Sequence, residues 1–350
     1  MNKAEQLSAA FQKLAASESM RSSFVEMLLD FEQRNQLIDF DIREEITGPL
    51  VDALFVEGEP LVKALSGGLK FEFLYRSKIA RDFVMADRPV PDHVWEPQTS
   101  KLLLHFAGRC RNIVIGGAYF GDQAVLLAKA VAAAGGVVHA FEPNDDQRRM
   151  LERNLQLNGL DNVRIRPEGL WSDSSTTLKL VGYDSFASTE VVDAGGFATV
   201  ALRDYFGKDG GPDLIMLDIE GAELAALQGA SPYLTLDAAH APIIVFEVHR
   251  SYVDWDAGLA NTEIVSLLSS NGYVVYALRD YNSNRDMSGE PIELIPVDSV
   301  YLDGPPHGFN MVAVKDASLL EGAGFSICRN VSPKLLRHRN PALHAPLRRG

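Results

Sequence analysis

Between residues 112 and 249, short apolar runs alternate with stretches of helical periodicity, and this alternation leaves few folds open to the chain. "NIVIGG" (112–117) reads as a buried strand, followed by a helix in "DQAVLLAKAVAAA" (122–134). "GVVHAFE" (136–142) reads as a second strand, and "DDQRRMLERNLQLNG" (145–159) as a helix stopping at Asn158-Gly159. "NVRIRPEGL" (162–170), "PDLIMLDIE" (212–220) and "APIIVFEVH" (241–249) supply three further strands, and "YVVYAL" and "FNMVAVK" read as the last ones. Strands joined through helices pair in parallel, and a parallel sheet must be covered on both faces. The expected fold class is therefore α/β, a Rossmann-like sheet with helices on both faces. The order of the strands in the sheet is not legible from the pattern.

The flanks read differently. Residues 1–95 predict a mainly helical region, with apolar residues at helical spacing at Phe11, Leu14, Phe24, Met27, Leu28 and Phe31 and no alternating strand run. Pro89, Pro91 and Pro97 then resist a continuous helix and predict a linker. We expect a catalytic domain over 96–315 and a C-terminal extension over 316–350. The end of that extension, with Lys334, Arg337, Arg339, Arg348 and Arg349, reads as a solvated tail. The formal net charge of −14 argues against a nucleic-acid partner. No apolar run reaches membrane-spanning length, and the N-terminus, with Glu5, lacks the apolar core of a secretory signal. Cys110 and Cys328 fit neither a disulfide framework nor a metal clip, so a cytoplasmic setting with reduced thiols is expected.

The sharpest local signal is "IVIGGAYFGDQA", a strand running into a glycine turn and then a helix. In doubly wound folds a nucleotide-like cofactor sits there, at the carboxyl ends of the strands. The second strand ends in "FEPN", and Glu142 lies 21 positions after Gly121, near the spacing at which an acid meets ribose hydroxyls. A dinucleotide fingerprint would need glycine where Ala118 stands, and its loss counts against NAD or FAD. A ribose- and adenine-bearing cofactor without phosphates suits the loop better, which points to S-adenosylmethionine.

With "WEPQTSKLL", "IGGAYFG", "FEPN", "EGLWSD", "TVALRDYFG", "DLIMLDIEGAELAALQGA" and "IIVFEVH" in this order, residues 95–250 resemble the FkbM family of S-adenosylmethionine-dependent methyltransferases. The resemblance implies a class I methyltransferase fold and O-methylation of a hydroxyl, often on a sugar, so a small-molecule or sugar acceptor. It implies that Glu96 lies near the cofactor's amino-acid end, that Gly117 and Gly121 form the loop, and that Glu142 is the ribose acid. It also implies that Trp171, Ser172 and Asp173 border the adenine. Ile115 stands where the family usually carries an acid, leaving Glu96 or Asp218 to compensate. Residues 1–95 carry no family motif and could form a lid, a cap or a homo-oligomer interface.

Methylating a hydroxyl requires a base for its proton. Asp218 and Glu220 follow the fourth strand, and Glu247 and His249 end the fifth, on one side of it. Asp218 is expected nearest the methyl group, unless it merely caps the following helix. His249, which titrates near neutrality, is the natural base, unless it simply lies at the surface. The same four residues could instead ligate Mg²⁺ and lower the hydroxyl pKa. Glu223 reads as solvated or structural, and Tyr183 and Phe186 could line the acceptor pocket. Two other classes remain: an NAD-type oxidoreductase, and a non-catalytic cofactor-binding descendant.

Overall fold

The computed structural model describes residues 2–181, 188–207, 210–304 and 307–347. Its main sheet comprises β1 (Asn112–Gly116), β2 (Val137–Phe141), β3 (Val163–Arg166), β4 (Leu214–Leu217), β5 (Ile243–His249), β6 (Val274–Leu278), β7 (Ile292–Pro296), β8 (Gly308–Val314) and β9 (Phe325–Ile327). Across the sheet they run β9-β7-β6-β8-β5-β4-β1-β2-β3. The five strands from β3 to β5 are mutually parallel, and β8 inserts antiparallel between β5 and β6. From β1 the chain winds outward through β2 and β3, then returns to β4 on the other side of β1. That reversal opens a crevice at the carboxyl ends of β1 and β4, where ligands of open α/β sheets bind.

Alternation along each strand divides the core in two. Ile113, Ile115, Val138, Leu214, Met216 and Val245 pack toward the helices Pro97–Ala107, Ala124–Ala132 and Asp145–Leu157. Val114, Phe141, Ile215, Leu217, Ile244 and Phe246 pack toward Leu202–Phe206, Glu223–Gly229 and Glu263–Ser270. The period of two explains why these runs are apolar throughout: both faces of the sheet are covered.

Three expectations about the flanks and strands need correction. Residues 1–95 are mainly helical but do hold strands, since Glu59–Ala64 and Lys70–Tyr75 form an antiparallel hairpin. Its second strand alternates Phe71, Phe73 and Tyr75 inward, a period-two signal within a helical-looking region. Asn154, on the helix Asp145–Leu157, and Asn158, at its C-cap, satisfy its edge: each accepts a backbone N–H (Glu72, 2.7 Å; Lys70, 2.8 Å) and donates to the same residue's carbonyl. Phe71, Phe73 and Phe83 join the core of the main sheet.

The expected strand 162–170 stops at Arg166, because Pro167 has no N–H to donate to a ladder. Gly169–Leu170 instead pairs with Phe197–Val200 in a small second sheet, which Thr177–Val181 and Ser188–Val191 extend. Nor is the C-terminal end a solvated tail: Ser332, Lys334, Leu335 and His344 are buried. The fully buried Arg279 ties it down, pairing with Glu293 and donating to the carbonyls of Ser332, Leu343 and Ala345. Arg337 pairs with Asp87 at 2.9 Å and His338 with Asp41 at 3.3 Å. Among the described residues no helix is long and apolar enough to cross a membrane.

Candidate active site

At the crevice beside β1 and β4 lies a cavity of about 220 Å³. Its floor is the glycine loop. Gly117 has φ 75°, and a Cβ there would stand 1.8 Å from the Asp218 carbonyl oxygen, so the turn admits no side chain. Gly121 (φ 96°) closes against Leu151, whose Cδ1 would lie 2.6 Å from an added Cβ. The loop is fixed to β2: the N–H groups of Gly117 and Ala118 both donate to the Phe141 carbonyl, and Tyr119 N–H donates to Glu142 Oε2 at 2.8 Å.

Glu142 accepts a second N–H, from Asn144 to Oε1 at 2.9 Å. Each of its oxygens keeps a lone pair, so the carboxylate can still accept from a vicinal diol. Burial pushes its pKa up to about 7 against the pull of those two N–H groups. Glu96, in the left-handed region (φ 50°) just before the helix Pro97–Ala107, accepts from Asn310 Nδ2 at 2.7 Å. Burial, then the charges of Asp280 and Asp218, raise its pKa to about 8. Asp122 lines the same cavity, and burial plus the Asp218 charge raise it to about 7. Asp280 faces the far end of this cluster with four hydrogen bonds, from the N–H groups of Gln98, Thr99 and Tyr281 and from the Thr99 hydroxyl.

Asp218 follows β4 and also lines the cavity, and burial raises its pKa. It caps no helix, since the next one begins at Glu223 without a side-chain cap. Glu220 (φ 55°) accepts from the Tyr252 hydroxyl at 3.2 Å, and burial, then Asp218, raise its pKa to about 8. Carboxylate oxygens of Asp218, Glu220 and Glu247 lie within 4.8 Å of one another. Burial, then Asp218 and Glu220, hold Glu247 well above the usual carboxylate range. Glu223 is structural and buried: it accepts from the N–H groups of Ile219 (2.8 Å) and Gly221 (3.0 Å), bracing the turn that presents Asp218 and Glu220.

His249 is placed differently from the expectation. Its Nδ1 accepts the Ser251 N–H at 3.1 Å, which puts the ring proton of the neutral form on Nε2 and leaves no free lone pair. Burial also lowers its pKa. It is not part of the three-carboxylate group. Both side chains crowd Gly308 on β8, where an added Cβ would stand 2.5 Å from Glu247 Oε1 and 2.5 Å from His249 Cδ2.

Trp171, Ser172 and Asp173 lie outside the cavity, whose wall in that region is Gly169, Leu170, Leu178 and Phe197. Asp173 Oδ1 accepts from the N–H and hydroxyl groups of Ser175 and Thr176 in a local turn, which brings its pKa down to about 2. Tyr183 and Phe186 fall outside the described residues. Ile115 is buried in β1 and lines the cavity without an acid's charge.

Several site residues escaped the sequence reading. Asp122 carried a usable signal, an acid directly after the third glycine of the loop. Lys334 carried none. It is buried, donates to Asn282 Oδ1, and its charge acts to lower the pKa of Glu96, Asp218 and Glu247.

Residues 116–275 match the methyltransferase FkbM domain. No curated protein matches the chain. Among solved structures, a methyltransferase FkbM from Methylobacillus flagellatus is similar at 16% identity and a TM-score of 0.33, over 58% of this chain and 43% of that one. A putative O-methyltransferase from Klebsiella pneumoniae is similar at 17% identity and a TM-score of 0.34, over 63% of this chain and 79% of that one. The chain thus spans less than half the length of the Methylobacillus protein, and similarity this slight assigns no activity.

Proposed function

We propose, from the premise that this chain carries a methyltransferase FkbM domain, that it transfers a methyl group from S-adenosylmethionine to a hydroxyl of a sugar-like acceptor. One observation carries the reading. The cavity at the strand ends is lined by Glu96, Asp122, Glu142, Asp218 and Glu220 and, among the described residues, by no lysine, arginine or histidine. Such a set favours a cation and repels phosphate. Asp122 stands just ahead of the helix Ala124–Ala132, where a dinucleotide would set its pyrophosphate, and its carboxyl disfavours an NAD-type cofactor.

The residues fit S-adenosylmethionine, which when bound supplies an electrophilic methyl on a cationic sulfur. Glu142 would hold the ribose hydroxyls, with its orientation fixed by the Tyr119 and Asn144 N–H groups. Phe141, Leu170 and Phe197 offer apolar walls to an adenine. Glu96 and Asp122 would face the ammonium, in place of the acid missing at Ile115. Glu247 would take the acceptor proton: its raised pKa brings a carboxylate toward the range in which a base works at neutral pH.

A second reading of the acceptor step rests on the 4.8 Å clustering of Asp218, Glu220 and Glu247, three oxygens close enough to ligate one divalent cation such as Mg²⁺. Treatment with EDTA separates the two. Unchanged turnover supports Glu247 as base, and loss restored by Mg²⁺ supports the cation. The function itself is tested with methyl-labelled S-adenosylmethionine and an extract of glycosylated metabolites, read by mass spectrometry. Label on sugar hydroxyls is expected, and label confined to protein or nucleic acid would refute the acceptor class.

A further inference from the structure

We propose that Asn310, on β8, is a positioning residue that aims the carboxylate of Glu96 at the ammonium group of the bound cofactor. The inference rests on the reading that the cavity takes S-adenosylmethionine. Glu96 lines that cavity, yet its own backbone does little to orient it. Its φ of 50° is one that residues with a side chain seldom adopt, and its carboxylate caps no N–H of the helix it precedes. Among the described residues that carboxylate accepts a single hydrogen bond, from Asn310 Nδ2 to Oε2 at 2.7 Å. Oε1 accepts none and is not sealed by the packing, so it stays available to a ligand. β8 is the strand that breaks the parallel run, and its register sets Asn310 directly opposite Glu247 on β5. Directly opposed residues put their side chains on one face of a sheet. Asn310 thus shares the face of Glu247 and reaches from it to the first turn of the helix Pro97–Ala107.

The hydrogen bonds around Asn310 run in one direction. The Thr99 hydroxyl donates to Asp280 Oδ2 at 2.9 Å, so toward Asn310 it can only accept. The amide therefore gives one hydrogen to Thr99 Oγ1 at 3.0 Å and the other to Glu96 Oε2. A flipped amide would set its oxygen against two oxygens. The amide keeps its sense even though its buried Oδ1 has no partner among the described residues. Glu96 thus meets a fixed donor at Oε2 alone, which favours the carboxylate form and leaves Oε1 for the ammonium. The helix is secured without this amide: Asp280 caps its first turn by accepting the N–H groups of Gln98 and Thr99. What Asn310 decides is where the Glu96 carboxylate stands, and Ile115 supplies no acid on β1 to share that role.

Two ligands separate positioning from folding. S-adenosylhomocysteine carries the ammonium group, whereas 5′-methylthioadenosine keeps the adenine, ribose and sulfur but has no amino-acid end. The full-length protein would be titrated with each by calorimetry, and wild type is expected to bind S-adenosylhomocysteine about tenfold or more tightly than 5′-methylthioadenosine. Asn310→Leu, close in shape but without donors, should remove most of that preference, with 5′-methylthioadenosine affinity changed less than about twofold. Thr99→Val should act in the same direction, because the amide loses the acceptor that fixes its sense, and Thr99→Ser should restore wild-type behaviour. If Asn310→Leu does not fold, the Thr99→Val and Thr99→Ser pair decides the matter. Equal weakening of both ligands would mean that the network only holds the fold, and an unchanged preference would mean that Glu96 needs no positioning; either overturns the proposal. Wild type that binds the two ligands equally would overturn it too, while leaving the cofactor reading intact. Wild type that binds neither would overturn the cofactor reading and this inference with it.

Discussion

Replacing Glu142 by Gln would remove a charge from the cofactor cavity while preserving shape, and the structure gives the expected sizes. Burial pushes the wild-type carboxyl up to about 7 in the folded protein against an ordinary 4.5. A carboxylate whose folded pKa is raised is a stability cost that grows as pH rises from the unfolded value and is complete above the folded one. That displacement corresponds to roughly 3 kcal/mol at pH 8, which Gln would recover. Against this, Gln can accept only one of the Tyr119 and Asn144 N–H bonds well, and stranding the other costs about 1–3 kcal/mol. The two effects nearly cancel, so the melting temperature at pH 8 should move by only a few degrees. Affinity for S-adenosylmethionine should not be spared. Losing the charged partner of the ribose hydroxyls predicts a ~5- to 150-fold weaker Kd by calorimetry at pH 8. The wild-type affinity should rise with pH through about 7, as Glu142 ionises, and the variant should lack that component. A folded Glu142→Gln protein that binds within twofold of wild type, with the same pH profile, would refute the assignment.

Three further outcomes are expected. Gly117→Ala should abolish cofactor binding and lower the denaturation midpoint, because its Cβ would collide with the Asp218 carbonyl at a backbone angle that disfavours any side chain; a variant with wild-type calorimetry would contradict this. Glu247→Gln should lower kcat by about 10²–10⁴ with cofactor affinity little changed, whereas His249→Ala should lose less than about tenfold. The reverse order would return the base role to His249, despite its engaged Nδ1. Arg279→Met would strand a buried Glu293 and release the C-terminal segment, so denaturant unfolding should show a loss of about 3–5 kcal/mol; a loss below about 1 kcal/mol would mean that the segment is held by other contacts.

What the sequence determined by itself is what local pattern encodes. The apolar runs, their spacing and the helices between them specify a doubly wound sheet, and "IVIGGAYFG" with Glu142 puts a glycine turn and an acid at the strand ends, where the cavity lies, because glycine conformation and strand-end position are local properties. Asp218, Glu220 and Glu247 were legible for the same reason, as acids at the ends of two strands. Tertiary structure decided the rest. The Phe71–Phe73–Tyr75 alternation lay hidden in a helical-looking region until its edge met Asn154 and Asn158. Asp173 lies outside the cavity, and its Oδ1 takes the N–H groups of Ser175 and Thr176 two and three residues away. His249 looked like a free base until a turn presented the Ser251 N–H to it. Lys334 lies in a stretch that composition marks as solvated, and the pairing of the returning chain with Arg279 and Asp280 carries it to the carboxylates of Glu96 and Glu247. Charge–charge coupling depends on distance in space and on exclusion of water, and neither quantity is written in the order of residues.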